Sequence, residues 1–235
     1  LNLQLAQAYA FSGDLVRAQE MIEQAEQLAA QVQDEGRLGK IFRRAAQIYW
    51  LRSNPKAASD YAHRALRVAE EQQDIGLLRA SLRMLGRSSI AQAAFDDAIA
   101  YLIRYVNLEE EHKLQYHPNL LVVYGYLGVA YARVGSWARA FEAAERGVDL
   151  AHEQGAASTV AFALAPLAYV QVARQNWTAC QSILDALPEI QTAPSEYTPL
   201  QFTLTGVQGL VRAHLGEPAQ GALMIRDALQ WVDKA

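Results

Sequence analysis

YGYLGVAYARVGSWARAFEAAERG, residues 124–147, is the stretch whose reading decides the fold. Tyr124, Leu127, Gly128 and Tyr131 recur at the three- and four-residue steps of one helical face. Gly135 interrupts the pattern. Trp137 then opens a second periodic run in which Ala140, Ala144 and Gly147 share a face. Two helices joined by so short a link fold back on each other as an antiparallel hairpin. They approach closely only where small residues meet, which sets Gly128 against Ala140.

The same arrangement extends in both directions. Toward the N-terminus, helices over about 76–88 and 92–110 are expected, joined near Ser88-Ser89-Ile90-Ala91, with Leu85, Gly86 and Ala98 repeating the small-residue contact. Before them, 38–52 pairs with 56–73 across Ser53-Asn54-Pro55, where the proline takes a first-turn position that needs no amide donor. Gly13-Asp14 separates residues 1–12 from a helix over 15–33. That helix carries Ala18, Ile22, Ala25, Leu28 and Ala29 on its inner side, and Asp34-Glu35-Gly36 ends it. Gly76 and Gly155 read as similar helix ends, and His117-Pro118-Asn119 as a break. Toward the C-terminus, 157–173 and 177–187 join at Gln175-Asn176, and Pro188 to Pro199 reads as the longest irregular link. A last pair, 200–215 and 218–232, joins at Gly216-Glu217.

The small residue opening each second helix measures the period. Ala18, Ala58, Ala98, Ala140, Cys180 and Gly221 stand 40, 40, 42, 40 and 41 residues apart. The order Leu127-Gly128, Tyr131, Ala140, Ala144 resembles the tetratricopeptide repeat (TPR), a helix–turn–helix unit of about 34 residues. Armadillo and HEAT repeats share a period near 40, but the order of small and aromatic residues favours the TPR kind. The expected architecture is all-α, a right-handed superhelix (solenoid) of antiparallel helix pairs, TPR-like, with the first helices on the concave side. It forms one domain over 1–235, in units near 1–36, 37–75, 76–117, 118–156, 157–198 and 199–235. Leu1 already lies inside a helical pattern, so a piece of a longer protein is expected, with Leu3, Leu5 or Phe11 partly uncovered and self-association through exposed terminal repeats.

Units of this length resemble the superhelical sensor regions of large LuxR-type regulators of the maltose-regulon-activator kind, among the signal-transduction ATPases with numerous domains (STAND). That resemblance implies a nucleotide-binding switch ahead of the superhelix and an output domain, often DNA-binding, behind it. No Gly-x-x-x-x-Gly-Lys-Ser/Thr stretch occurs in these residues, so an ATPase part would lie outside them.

Composition narrows the chemistry. Twenty-one basic against 25 acidic residues give a net charge of −4, which argues against direct nucleic-acid contact. The single Cys180 excludes an internal disulfide, and no apolar run is long enough to span a membrane; a cytoplasmic location is expected. No cofactor is implied. The five histidines form no i, i+4 pair, so no zinc site is expected, and Cys180 reads as a small packed residue. Glu109-Glu110-Glu111 reads as a wetted helix end. With no acid, base and nucleophile in plausible spacing, no enzyme is expected.

Trp137 and Trp177 stand 40 residues apart, each just past the turn of its unit, where the resemblance implies packing beneath the next helix pair. Trp231 is expected to pack on a following repeat or cap. The polar set is the candidate site. Lys40, Arg43 and Gln47 share a helix face, and Arg83 and Arg87 repeat Arg43 and Gln47 at a spacing of 40. Trp50 is placed at the edge of this ladder and Arg133 as its extension in the 118–156 unit. A basic inner stripe would favour a small anionic ligand or an acidic partner protein or peptide. The competing reading has these arginines covering their own helices with their stems, their heads in water. For function, a ligand-sensing superhelix of a bacterial regulator stands beside a generic scaffold that holds a partner without signalling.

Overall fold

The structure is a computed structural model that describes residues 2–31, 34–112, 119–186 and 198–232, with the side chains of all of these except 157, 158, 198–204 and 230–232. Every regular element among the described residues is an α-helix: α1 Asn2–Phe11, α2 Leu15–Gln31, α3 Glu35–Leu51, α4 Pro55–Gln72, α5 Ile75–Ala91, α6 Phe95–Glu111, α7 Leu120–Arg133, α8 Trp137–Gln154, α9 Ala157–Ala173, α10 Trp177–Asp185, α11 Thr198–His214 and α12 Pro218–Val232. They fall into two compact units, residues 1–115 and 116–235.

Each pair is closed by the same three-residue device. The middle residue of every intrapair turn is left-handed: Gly13 (φ 82°), Ser53 (55°), Ala93 (59°), Gly135 (78°), Gln175 (59°) and Gly216 (110°). The residue after it donates its amide to a carbonyl five residues back, as in Asn54 N to Tyr49 O at 2.9 Å and Ser136 N to Tyr131 O at 2.8 Å. This Schellman geometry satisfies the last carbonyls of one helix, and the donating residue already stands at the N-cap of the next. Asn54 and Asn176 add side-chain caps to Ala57 N and Ala179 N at 3.0 and 3.4 Å. Pro55 occupies the first turn of α4, as its spacing predicts.

The differences from the sequence expectations have local causes. The turn placed near 88–91 lies at Gln92-Ala93-Ala94, because Ala93 adopts a left-handed conformation that its residue type does not announce. Asp34 both closes α2, its amide donating to Ala29 O at 3.2 Å, and opens α3, its Oδ1 accepting from Arg37 N at 2.9 Å. Gly76 lies inside the first turn of α5, which Asp74 caps through Leu77 N, whereas Gly155 does terminate α8 at φ 75°. Leu28 points outward at 56% exposure while Ala18, Ile22, Ala25 and Ala29 are buried. Pro199 belongs to α11; Pro188 through residue 197, and His117 and Pro118, lie outside the described residues, as does the side chain of Trp231.

Within each unit the first helices approach one another across the pairs, α1 with α3 and α3 with α5, then α7 with α9 and α9 with α11. No second helix meets the next second helix among the described residues. A stack in which alternate helices meet on one side only is concave on that side, so the first helices line the inner face of each unit. The core is made of small side chains at the pair seam. Ala18, Ala58, Ala98, Ala140 and Cys180 are all fully buried, and Gly221 is buried at the same register. Gly128 faces Ala140 as expected: a Cβ built on it would lie 3.2 Å from the Ala140 carbonyl oxygen and from Ala144 Cβ. One repeat earlier the seam is filled differently. The atoms nearest Gly86 are those of Leu102, whose Cγ would stand 2.5 Å from such a Cβ, rather than those of Ala98.

Candidate functional site

The inner helices of the first unit carry an unbalanced charge. Arg37, Lys40, Arg43 and Arg44 lie on α3 and Arg79, Arg83 and Arg87 on α5, with Glu35 the sole carboxylate within the two helices. Arg37 is tied to Asp34 at 2.9 Å and Arg79 to Glu109, which leaves the positive charge concentrated on the faces that meet.

Between those faces is a cleft of about 230 Å³. Arg43 and Gln47 come from α3, Ser81, Arg83, Met84 and Arg87 from α5, and Ala62 and Ala65 of α4 form part of its lining. The room exists because the packed residues are small. Ala46 and Ala80 complete the lining, and a Leu at Ala62 or Ala65 would fill it.

The side chains differ in how firmly they are held. The Arg87 guanidinium lies 4.3 Å from the centroid of the Trp50 ring, and its Nε donates to Met84 Sδ at 3.1 Å. Trp50 therefore fixes one basic group at the cleft margin by a cation–π contact. Arg44 points away, donating to Gln47 Oε1 at 2.9 Å and to Gln7 Oε1 of α1 at 2.8 Å. Burial, followed by the neighbouring Arg43, lowers the Arg44 pKa, though an arginine stays charged. Because Gln47 presents its carbonyl to Arg44, its amide N–H groups remain to face the cleft. Arg43 is exposed and Arg83 half-buried, and neither makes a hydrogen bond or ion pair with another described residue. The Ser81 hydroxyl, on a residue only 1% exposed, is itself buried and has no hydrogen-bond partner among the described residues. Lys40 is exposed on the same helix as Arg43 and does not line the cleft. Arg133 belongs to the second unit, in the last turn of α7, where its Nη1 donates to the Tyr169 hydroxyl at 3.4 Å.

Among the described residues no carboxylate, histidine or cysteine lines the cleft, and none stands beside Ser81 as a general base. The surface is built of donors over an apolar floor. Its chemistry is complementary to acceptor-rich groups.

Sequence reasoning missed a buried polar cluster on the other side of α5. Glu109 is 3% exposed, not a wetted helix end, and its Oε1 lies 2.5 Å from Arg79 Nε. The pair is close but poorly aligned for hydrogen bonding, leaving both carboxylate oxygens and Arg79 Nε and Nη2 without a hydrogen-bond partner. Tyr105 closes the cluster, and burial above all pushes its hydroxyl up to about 12. The signal was in the spacing: Ala98, Leu102, Tyr105 and Glu109 follow one helical stripe, and all four are buried. In the second unit, Trp137 packs against Val170 of the following pair and its own Ala140 and Ala144. Trp177 stacks on the His214 ring at 3.8 Å and 7°. Cys180 is packed at 0% exposure, and burial raises its thiol to about 11.

No protein-family model matches the chain, and no curated protein matches it in sequence. Solved structures do. The apo form of RapI superposes with a TM-score of 0.79 at 15% identity, over 99% of this chain and 82% of that one. A putative kinesin light chain with nearly identical TPR-like repeats, from Podosopora anserina, gives 0.67 at 21% identity over 79% and 91%. A STAND protein with a tetratricopeptide repeat sensor, from Pyrococcus horikoshii, gives 0.69 at 15% over 97% of this chain. The fold is a TPR-like helical repeat. This chain spans only 35% of the Pyrococcus protein.

Proposed function

We propose that the chain is a non-catalytic ligand- or partner-binding region of a bacterial regulator, of the sensor type found in signal-transduction ATPases, acting in the cytoplasm. The observation that carries this reading is the cleft between α3 and α5. There Arg43, Arg83 and Arg87 share an alanine-floored lining that has no carboxylate among the described residues. Structural rigidity supports it, since stacked repeats hold basic groups at fixed separations, as recognition of an anionic group requires. Gln47 belongs to the lining, Lys40 lies beside it on α3, Trp50 is its apolar edge, and Arg133 is a second, separate contact point on the inner face of the other unit. No described helix is long and apolar enough to cross a membrane. Phe11, 80% exposed, and Leu5, 37% exposed, offer a surface for contact between copies.

The test is a paired substitution, Arg43→Ala with Arg83→Ala, because both side chains reach solvent without an intramolecular ion pair. Helicity and melting should be unchanged, while affinity for a short poly-glutamate peptide, used as a generic anionic probe, should fall several-fold. A large loss of stability with unchanged probe binding would assign the arginines to intramolecular packing. The alternative reading, a scaffold without signalling, is favoured by the likeness to the kinesin light chain repeats. The two separate on the complete gene product: a P-loop domain ahead of the repeats and an output domain behind them would identify the regulator.

A further inference from the structure

We propose that the inner face of the second unit docks an uncharged, apolar peptide segment of a partner protein. The segment lies across α7 and α9 and donates one of its backbone N–H groups to the Phe162 carbonyl. This surface is separate from the cleft between α3 and α5, and its occupant differs from the anionic group proposed for that cleft.

Charge is the first argument. Arg133, in the last turn of α7, is the sole charged residue within α7 and α9, whereas α3 and α5 are strongly basic. Counted from the small residue that opens each second helix, the registers of Lys40, Arg44 and Gln47 fall on Val122, Tyr126 and Val129 in α7. In α9 they fall on Phe162, Pro166 and Tyr169. All six of these residues are half-buried, so the packing of the unit does not seal them. A helix that is apolar on every side belongs in a core, yet these two keep one face open. Away from Arg133, a charged side chain laid on that face would lose water and find no counter-charge. Shape is the second. A Cβ built on Gly125 would lie 2.8 Å from Pro166 Cγ, so the proline ring closes the slot at the register of Arg43 and Arg83. Val122 and Phe162 pack on the same buried cluster around Leu121 and Ala163, and Arg133 Nη1 donates to the Tyr169 hydroxyl at 3.4 Å. Joined in the middle and toward both ends, α7 and α9 present a surface that suits a segment lying across it. The third is an open acceptor. Pro166 has no amide N–H, so the helical bond to the Phe162 carbonyl is missing in the middle of α9. A backbone carbonyl without its donor takes one from water or from a partner, and an extended peptide supplies such N–H groups.

The probe is an array of short random-sequence peptides, N-acetylated and C-amidated, exposed to the intact chain, with the best binders taken to calorimetry. The peptides retained should be uncharged and rich in leucine, isoleucine, proline and aromatic residues. Their binding should show the negative heat-capacity change of apolar burial. Tyr126→Lys, which sets a charge on the face, should weaken such a peptide about tenfold or more. Helicity is followed in every variant, and Phe162→Ala, which only removes bulk, carries this arm if Tyr126→Lys fails to fold. Pro166→Ala tests the carbonyl, because it supplies the missing helical amide. N-methylation at one peptide amide should cost about threefold or more against the parent chain and much less against Pro166→Ala. Equal losses against both chains overturn the contact with the Phe162 carbonyl. Binders that are acidic and depend on Arg43 and Arg83 overturn this docking surface and support the basic cleft, so the two readings fail separately. An array that retains no uncharged peptide overturns the surface, as does binding indifferent to Tyr126→Lys and Phe162→Ala. If sedimentation shows the chain pairing with itself, and Tyr126→Lys abolishes the pairing, the occupant is a second copy and the assignment to a partner peptide falls.

Discussion

Gly209 and Gly221 meet backbone to backbone at the seam of the last pair. A Cβ built on Gly209 would stand 2.8 Å from the Gly221 carbonyl oxygen, and one on Gly221 would stand 2.7 Å from the Ala213 amide nitrogen. Gly221 occupies the register that alanine fills in four of the other five pairs. Gly221→Ala, a change toward the pattern of the other repeats, should therefore destabilise the second unit. The obstructing atoms are backbone and cannot rotate away, so the cost is at the upper end of the ~1–3 kcal/mol typical of overpacking. Denaturant titration followed by tryptophan fluorescence reads it. A neutral result would mean the α11–α12 seam is looser than described.

Glu109→Gln should cost several times more than any surface charge change. Removing one member of a buried ion pair leaves the other uncompensated, at about 3–5 kcal/mol. Replacing both, Arg79→Met with Glu109→Leu, should recover most of the loss, because the pair is buried but poorly hydrogen-bonded. Urea midpoints of the single and double variants form the cycle that decides it.

Ala93→Gly should stabilise the α5–α6 hairpin by up to about 1 kcal/mol. An L-residue in the left-handed region costs ~1–2 kcal/mol, partly offset by the extra freedom glycine has in the unfolded chain. Gly135→Ala should move stability in the opposite direction by a comparable amount. Thermal melts of the two variants, compared with the parent chain, provide the check.

Cys180 should resist alkylation until the second unit opens. Burial raises its thiol from 9.0 to about 11, so at pH 8 the folded chain holds roughly 100-fold less thiolate than the unfolded one. The linkage follows from the sign of that shift. The contribution of the buried neutral thiol to stability is fully present below pH 9 and is lost as pH rises through 11. Iodoacetamide labelling across a urea gradient at pH 8 should track unfolding, and fast labelling without urea would contradict the packing.

The hairpins were legible because two signals agreed, a helical period and a turn residue. Gly13, Gly135 and Gly216 announce their left-handed turns by type, and Asn54-Pro55 announces its cap and first turn. Ala93 carries no such mark, since nothing in an alanine says it will be held at φ 59° by the bonds around it. The arginines of the cleft were visible because they recur at the repeat spacing. The Arg87 stack on Trp50 was not, since it depends on side-chain conformations that a spacing does not specify. Glu109 was misread for a related reason: three adjacent acids look solvated, although helical geometry sends only one of them inward.

Gly125 stands at the position that Arg43 and Arg83 hold in the earlier repeats, and a Cβ there would lie 2.8 Å from Cγ of Pro166 in α9. For anyone re-engineering the array, this makes the repeats unequal as building blocks. A guanidinium cannot be grafted onto α7 at this slot by exchanging one residue, because the proline ring of the following pair already occupies the space. Pro166→Ala has to come first, and it restores an amide donor to the middle of α9 as it vacates the slot. Gly125→Arg would then test whether specificity can be written into a helical repeat one rung at a time.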